Sequence, residues 1–375
     1  MGGRTLNIDT YPYWLWLHET FGSCNAKFRQ ALRLFENDIT ALYENRSDPA
    51  VRALIPAYLA RNNKQPDLDE NRRRLEVWAS DGIRFICYDD DLYPQRLRDT
   101  RFAPSGLFVT GDPSVMDSLS IAGVGSRVTT TYGREAVKKI CAPIASAGIT
   151  LVSGLAYGID SEVHRAALDN GAKTVAVLGT AIDVTYPANH RELRRMIEKN
   201  GAVVSEYEPG TKGERYMFPQ RNRIISGLSC GVIIFEAARK SGTMITANWA
   251  LDDGREVFAV PGSIFSERCE GTNYLISQGA VPATAAEDVL GVLGLDLASA
   301  VQMTIEGFSS APVQGLSKRQ QLIYDSILSG ADNIETLVDN TGLQPHELFS
   351  ELTVMEIDGI IESGAGSSYS VKRII

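Results

Sequence analysis

Residues 119–127 read LSIAGVGSR, and this stretch decides the fold. An apolar run from Leu119 ends at Val124, glycines stand on both sides of that last residue, and a helix-length segment follows. Further short apolar runs alternate with helix-length segments in the same way, at Thr150 to Val152, Thr174 to Leu178, Ala202 to Ser205, Gly231 to Phe235 and Glu256 to Val260. Runs that are apolar on both faces and alternate with helices are typical of a parallel sheet covered by helices. The sequence therefore predicts an α/β fold with a Rossmann-like parallel sheet.

The segments that flank this core predict further domains. Ile83 to Tyr88 and Leu107 to Thr110 are apolar runs that predict two edge strands ahead of the core. Helical spacing of apolar residues predicts a small helical domain over residues 1–80, ahead of the α/β domain over 81–292. The small residues of 293–315 predict a linker. Residues 316–375 predict a winged helix-turn-helix, with helices at Ser317 to Leu328, Ile334 to Asn340 and Pro345 to Asp358 and a hairpin at 358–362 and 369–372.

The composition excludes several classes of protein. Of the 375 residues, 44% are hydrophobic and 22% charged, which is typical of a globular chain rather than a disordered or fibrous one. No apolar run approaches the roughly 20 residues that cross a bilayer, and residues 1–10 lack the apolar core of a secretion signal. We therefore expect a cytoplasmic protein that does not contact a membrane.

Cysteine and histidine spacing argues against a metal site. The five cysteines contain no Cys-x-x-Cys pair, and the four histidines are far apart in the sequence. We therefore expect neither a metal nor another cofactor. The net charge of −9 argues against binding nucleic acid through overall charge, although it allows a local basic site.

The first strand end carries residues that suit an anion. In open parallel sheets, ligands bind beyond the carboxyl ends of the strands, where helix N-termini offer free N–H groups. Gly125, Ser126 and Arg127 stand at such a position and predict a phosphate cradle, with a tight strand-to-helix turn as the structural alternative. The dinucleotide fingerprint Gly-x-Gly-x-x-Gly is incomplete because residue 128 is Val, and no acidic residue closes the second strand. This pattern disfavours NAD.

A basic segment provides the strongest indication of a ligand. Residues 211–240 contain six cations, Lys212, Arg215, Arg221, Arg223, Arg239 and Lys240, against two acids, Glu214 and Glu236. Tyr216 and Phe218 lie among these cations, and aromatic faces beside arginines suit the stacking of unpaired bases. The alternative is that Phe218 only plugs the sheet edge. Lys240, Ser241 and Gly242 precede another helix and form a second candidate anion site.

Other candidates have structural explanations. His164 follows a glycine-rich strand end, where a packing histidine is the simpler interpretation. Asp183 and Glu206 also follow strands and could serve catalysis, although single carboxylates there more often cap helices. Residues 227–231 match the Gly-x-Ser-x-Gly elbow of serine hydrolases, but that motif must follow a strand and open a helix. Here it follows a predicted helix and opens a strand, which excludes the hydrolase interpretation.

An ordered set of motifs resembles a known family. The motifs are Tyr93-Pro94-x-x-Leu97, Gly125-Ser126-Arg127, SGLAxGID at 153–160, FPxRNRIIxGLS at 218–229, Lys240-Ser241-Gly242, AVPG at 259–262 and GTNxLI at 271–276. They span about half of the chain and resemble the DNA processing protein A family, DprA, also called Smf. The resemblance implies an extended Rossmann core that binds single-stranded DNA and helps to load the RecA recombinase, as in natural transformation and competence. It also implies a homodimer, an N-terminal sterile-alpha-motif (SAM-like) domain and a C-terminal winged helix, without enzymatic activity.

The resemblance also implies which residues bind DNA. They are Gly125, Ser126, Arg127, Arg215, Phe218, Arg221, Asn222, Arg223, Lys240, Ser241 and Gly242, with Phe218 as a base-stacking residue. Residues 20–23 depart from the family pattern, because Thr20-Phe21-Gly22-Ser23 stands where an apolar-Gly turn is usual.

Two alternatives remain beside this function. A Rossmann-like nucleotide-processing enzyme, such as a phosphoribohydrolase, needs a carboxylate beside its phosphate loop, and the nearest acids after Thr243 are Asp252 and Asp253, which are too distant along the helix. A winged-helix regulator with a ligand-sensing core is a further alternative. Its recognition helix at Pro345 to Asp358 has four acids and no Lys or Arg, so duplex binding there is disfavoured and a protein contact is favoured.

Apolar residues near the end of the core predict self-association. Leu275, Ile276, Val281, Val289 and Leu290 exceed what a short terminal segment can bury alone. We therefore expect some of them to form a homodimer contact.

Overall fold

The computed structural model describes residues 8–23, 26–60, 67–295, 317–328, 333–357, 361–363 and 369–371. By their contacts, the described residues up to 295 form one unit and those from 317 onward form a second. The predicted linker lies outside the described residues from position 296. No helix within the described ranges is long and apolar enough to cross a bilayer.

A mostly parallel sheet of nine strands forms the centre of the first unit. Its strands are β1 (Arg84–Cys87), β2 (Gly106–Gly111), β3 (Ser120–Val124), β4 (Thr150–Ser153), β5 (Thr174–Leu178), β6 (Ala202–Ser205), β7 (Gly231–Ile234), β8 (Glu256–Ala259) and β9 (Val281–Pro282). Their spatial order is β1-β2-β6-β5-β4-β3-β7-β8-β9. The pairs β1–β2 and β2–β6 are antiparallel, and every other pair is parallel. The chain therefore reverses its direction across the sheet between β3 and β7, the kind of position where open α/β sheets bind ligands.

Fourteen α-helices accompany this sheet in the described part of the first unit. They are α1 (Tyr11–Phe21), α2 (Lys27–Arg33), α3 (Ile39–Glu44), α4 (Pro49–Leu54), α5 (Ala57–Ala60), α6 (Leu68–Ser80), α7 (Gln95–Arg98), α8 (Thr131–Ser146), α9 (Ile159–Asp169), α10 (Arg191–Asn200), α11 (Met217–Leu228), α12 (Gly242–Asp252), α13 (Glu270–Ser277) and α14 (Ala286–Val292). Short 3₁₀ turns occupy Ile8–Thr10, Pro113–Asp117 and Ala188–His190.

The sheet is covered on both faces, as its continuous apolar strands require. On one face, α11 and α12 pack against strand residues such as Ala122 and Val152. On the other face, α8, α9 and α14 pack against residues of the opposite parity, including Ile121 and Leu151. Since successive strand residues point to opposite faces, both faces need apolar side chains. This pattern explains why the core strands lack polar alternation.

The N-terminal helices share a hydrophobic cluster with the antiparallel end of the sheet. Trp14 and Leu17 of α1 are buried together with Phe85 of β1, Phe108 of β2 and Val203 of β6. A polar contact adds to this packing, because the His18 ring bonds the Ser105 hydroxyl at 3.0 Å and Glu206 O at 2.8 Å. The helices therefore cover one face of the sheet at this end.

The second unit consists of three helices and a two-stranded antiparallel ribbon. The elements are α15 (Lys318–Leu328), α16 (Ile334–Thr341), α17 (Pro345–Ile357), β10 (Ile361–Ser363) and β11 (Tyr369–Val371). Ile323, Leu337, Leu348 and Ile361 belong to its small buried core. The three predicted helices are thus confirmed to within two residues at each end.

The predicted parallel core is confirmed, with two corrections. First, β1 lies at the edge as expected, whereas β2 lies inside the sheet, between β1 and β6. Second, Leu275, Val289 and Leu290 are each at most 4% exposed and pack in the cores of their own chain. The sequence does not predict strand β9 at residues 281–282, which extends the sheet and helps to cover these side chains. Leu275, Val289 and Leu290 are therefore not available for a contact between subunits, whereas Ile276 and Val281 are only partly buried, and a dimer contact through these two stays a prediction.

Candidate functional site

The carboxyl ends of β3, β4 and β7 open on one cavity of about 690 Å³. Nine residues from the predicted DNA-binding set line it, namely Gly125, Ser126, Arg127, Arg215, Phe218, Arg221, Asn222, Ser241 and Gly242. They come from three separate segments that the parallel topology brings to the same end of the sheet. Arg223 and Lys240 do not line the cavity.

The charge of the cavity is predominantly positive. Its lining includes four arginines, Arg127, Arg215, Arg221 and Arg268, and one carboxylate, Asp160. Arg127 and Arg215 are exposed, so their guanidinium groups are accessible to a ligand. Such a concentration of cations in a chain of net charge −9 favours an anionic ligand.

Arg221 supports the floor of the cavity rather than its rim. It is 4% exposed and donates through Nη1 to Gly154 O at 2.7 Å and to Val177 O. A Cβ at Gly154 would lie 2.5 Å from Arg221 Nη2 and 2.6 Å from Asp160 Oδ2, so this close approach requires glycine. Burial lowers the pKa of Arg221 to about 10, and the nearby Asp160 opposes that shift. Arg221 therefore links the ends of β4 and β5 while its charge remains beneath the cavity.

Asp160 is the carboxylate at this floor. Burial raises its pKa, and the neighbouring Arg221 and Arg127 partly offset the effect. Ala156 N donates to Asp160 Oδ2 at 3.4 Å. Asp160 thus corrects the sequence-based argument that no carboxylate lies near the anion site. Asp160 follows β4, which lies on the opposite side of β3 from β7 and α12, so the residues along α12 give no indication of it.

The N-terminus of α8 is already occupied by an anion of the protein itself. Glu236, which is 1% exposed, accepts from Thr130 N at 3.1 Å, Thr130 Oγ1 at 2.5 Å and Thr129 Oγ1 at 2.9 Å. Thr130 Oγ1 in turn accepts from Gly133 N at 3.0 Å as the N-cap of the helix. The predicted phosphate cradle after β3 is therefore satisfied internally at the helix, and only its exposed loop with Arg127 faces the cavity.

The N-terminus of α12 faces the cavity. Ser241, Gly242 and Thr243 line the cavity, and the N-cap Ser241 makes no side-chain capping bond to the helix. Asn222 Nδ2 donates to Gly242 O at 3.3 Å and so ties α11 to this turn. Uncapped N–H groups and the positive end of the helix dipole together suit a phosphate.

Aromatic rings form one wall of the cavity. Phe218 is half-buried, with the Arg127 guanidinium 5.5 Å from its ring centroid. The Tyr186 ring lies 5.3 Å from Phe218 at an interplanar angle of 60°. Phe218 also packs closely on Gly179, where a Cβ would approach its Cδ1 to 2.7 Å. The ring thus combines a structural contact with a place at the cavity surface.

Arg223 and Lys240 lie elsewhere. Arg223 is 2% exposed and forms a buried ion pair with Glu206, with a distance of 2.6 Å from Nη2 to Oε1. A phosphate at the surface cannot reach this guanidinium, so the prediction that Arg223 contacts DNA is corrected. Lys240 is exposed and immediately precedes Ser241, which leaves it at the rim of the cavity.

The remaining sequence candidates have structural roles. His164 is 0% exposed and its Nδ1 bonds Thr174 Oγ1 at 2.7 Å, which confirms a packing histidine. Asp183 accepts from Gly210 N at 3.1 Å and pins a loop. Ser229 is buried between the end of α11 and the start of β7, where its hydroxyl donates to Ile225 O. It therefore does not lie on the strand-to-helix turn that a hydrolase elbow needs.

Twelve further lining residues were absent from the predicted set, and three of them, Asp160, Tyr186 and Arg268, carry a charge or an aromatic ring. Asp160 stood inside a quoted motif without a role, and Tyr186 and Arg268 lie outside the basic segment. Arg268 donates through Nη1 to Val128 O and so joins the loop after β8 to the loop after β3. Only the topology brings residue 268 to this edge, because 140 positions separate it from Val128.

The chain is thus an α/β protein whose mostly parallel sheet has a cationic cavity and an uncapped helix N-terminus at its strand ends. The family model described as DNA recombination-mediator protein A matches residues 84–294, and the chain belongs to this family. Protein Smf of Escherichia coli is 35% identical over 289 residues, which cover 77% of each chain. The DNA processing protein DprA of Streptococcus pneumoniae is 43% identical over 201 residues, 54% of this chain and 71% of that protein.

A solved structure agrees with this assignment. The X-ray structure of DNA processing protein A from Streptococcus pneumoniae superimposes with a TM-score of 0.64 at 35% identity, covering 75% of this chain and 97% of that one. The α/β core and the family predicted from the sequence motifs are therefore confirmed.

Proposed function

We propose that the chain binds single-stranded DNA in the cavity between β3, β4 and β7. The observation that carries this proposal is the juxtaposition of exposed arginines, the uncapped α12 N-terminus and aromatic rings in one cavity. The arginines and the helix N-terminus suit phosphates, whereas exposed aromatic rings can stack only with bases that are not already stacked on one another. The bases of duplex DNA are stacked on one another, so a duplex could contact the arginines and the helix N-terminus but not the aromatic rings.

The proposed binding residues have different roles. Gly125, Ser126 and Gly242 shape the loops, and Ser241 offers its hydroxyl. Arg127 and Arg215 contact phosphates, Lys240 adds charge at the rim, and Arg268 adds a further cation to the lining. Phe218 stacks with a base. Arg221 and Asn222 hold the site from beneath, and Arg223 is not included.

We further propose a role as a recombination mediator that helps to load the RecA recombinase onto single strands, as in natural transformation. Family membership supports this role, together with the implications of the sequence motifs. The proposal includes a homodimer, a cytoplasmic location and domain boundaries after residues 80, 292 and 315. It also includes a SAM-like assignment of the N-terminal helices and a winged-helix assignment of the second unit.

The competing function is a nucleotide-processing enzyme, and Asp160 is the observation that favours it. Its carboxyl group lies in the cavity and has a raised pKa, as a general acid would. Two contacts argue against this function, because Ala156 N donates a hydrogen bond to the Asp160 carboxyl group and the charge of Arg221 lies near it. We therefore propose a binding protein without enzymatic activity, in which Asp160 organises the floor.

A binding experiment separates the two functions. Fluorescence anisotropy would compare a single strand, the matching duplex and a mononucleotide, while chromatography follows release of base or phosphate from the mononucleotide. We expect preference for the single strand and no release. Release that the Asp160→Asn variant abolishes would instead establish the enzyme.

A further inference from the structure

The aromatic wall of the cavity contains more ring surface than Phe218 alone supplies. Tyr186 is 48% exposed and lines the cavity beside Phe218, outside every sequence motif quoted above. Phe218, in contrast, is half-buried against Gly179, with Arg127 near its ring. The more accessible aromatic face in this pair therefore belongs to Tyr186.

The chain around Tyr186 is held in place by polar contacts. Arg194 Nη2 donates to Ile182 O at 2.6 Å, and Thr180 Oγ1 donates to Val184 O at 3.0 Å. Farther along, His190 Nδ1 bonds Leu155 O at 3.0 Å. A ring on such a supported segment loses little conformational entropy when a ligand covers it, which favours binding.

The angle between the two rings restricts what can bind. Because the Tyr186 and Phe218 planes are inclined by 60°, one flat base cannot stack on both rings. Two adjacent bases, one on each ring, would have to be unstacked from each other. Only a flexible single strand can adopt that arrangement at low cost.

We propose that Tyr186 is a second base-stacking residue, so that the cavity holds two neighbouring bases splayed between Tyr186 and Phe218. The inference rests on the proposed single-strand binding and deepens it. It assigns the ligand as at least a dinucleotide segment with both bases present. The phenolic hydroxyl has no part in this role, since the ring face provides the contact.

The test combines protein variants with modified DNA. Affinity for oligothymidylate is compared between wild type, Tyr186→Ala, Tyr186→Phe and Tyr186→Leu, and again on a strand of equal length whose sugars lack bases. We expect Tyr186→Ala and Tyr186→Leu to weaken oligothymidylate binding roughly ten- to a hundredfold and Tyr186→Phe to retain it. On the abasic strand, all four proteins should bind alike.

Control variants identify each possible failure. Phe349→Ala removes a ring of similar exposure, 46%, in the second unit and should leave affinity unchanged. Unchanged affinity of Tyr186→Ala, or an equal loss on the abasic strand, would overturn the inference while the proposed function stands. If wild type itself fails to bind oligothymidylate, the proposed function fails. Thermal unfolding of each variant checks that the fold is intact.

Discussion

Arg221 and Arg223 show how two neighbouring arginines of one motif acquire different roles. Residues two positions apart on a helix point in directions that differ by roughly 200°. Arg221 consequently reaches the cavity floor, whereas Arg223 turns into the core and pairs with Glu206. The sequence identifies both as cations in a binding motif, but it cannot show which one faces solvent before the helix is placed on the sheet.

The buried Arg223 and the exposed Arg127 should therefore respond differently to substitution. Arg223→Met leaves the Glu206 carboxylate buried without its ion-pair partner, so we expect a loss of about 3–5 kcal/mol in the free energy of unfolding, measured by urea denaturation. The double variant Glu206→Leu with Arg223→Met should recover part of the lost stability.

Arg127→Ala should keep the stability of wild type and lose roughly ten- to a hundredfold in affinity for single-stranded DNA. Reduced affinity of a stable Arg223→Met protein would contradict these assignments.

His164 predicts a pH dependence of stability. Thr174 Oγ1 donates to Leu151 O and so accepts from His164 Nδ1–H, while burial lowers the pKa of the imidazole from 6.5 to about 3. Between these pH values the unfolded chain binds a proton that the folded chain excludes. The stability from the neutral ring is therefore complete above about pH 6.5 and is lost as the pH falls.

The comparison of wild type with His164→Leu measures this contribution. Between pH 6 and 4, we expect the free energy of unfolding of wild type to fall more steeply, by up to about 1.4 kcal/mol per pH unit. Carboxylates that titrate in the same range contribute equally to both proteins and cancel in the difference. Parallel slopes for the two proteins would show that His164 is protonated in the folded state.

At the scale of elements, two helix N-termini at the same sheet edge differ in what satisfies them. The α8 terminus is closed by Glu236 from the strand end of β7, whereas the α12 terminus opens on the cavity. The strand ends, and hence the location of the cavity, could be predicted from apolar runs and glycines. The contact of Glu236 with the N-terminus of α8 could not be predicted, because 106 positions separate Glu236 from Thr130 and only the parallel pairing of β3 with β7 brings them together.

Glu236 should therefore act on stability rather than as a ligand-binding group. Glu236→Gln removes a charge that accepts three hydrogen bonds and complements the helix dipole, so we expect a loss of about 1.5–3 kcal/mol in urea denaturation. The isosteric amide keeps the packing volume, which makes the charge the main change. Stability equal to wild type would mean that the carboxylate does not cap α8.

At the scale of the whole molecule, a chain of net charge −9 concentrates arginines at one edge of its sheet. The overall charge repels nucleic acid, so binding must depend on a small number of local contacts. The parallel core and the family were predictable because buried strands and ordered motifs are local in sequence. Tyr186, Asp160 and Arg268 were not predicted as site residues, since their meeting depends on contacts between distant segments.

The salt dependence of single-strand binding tests the central claim most directly. Arg127, Arg215, Lys240 and Arg268 offer about four phosphate contacts, and each releases roughly 0.7 counterion on a single strand. Anisotropy titrations over a range of salt concentrations should give a log–log slope near −3 for the single strand, with weaker binding of the matching duplex throughout. A flat response, or tighter binding of the duplex, would contradict the assignment of the cavity to single-stranded DNA.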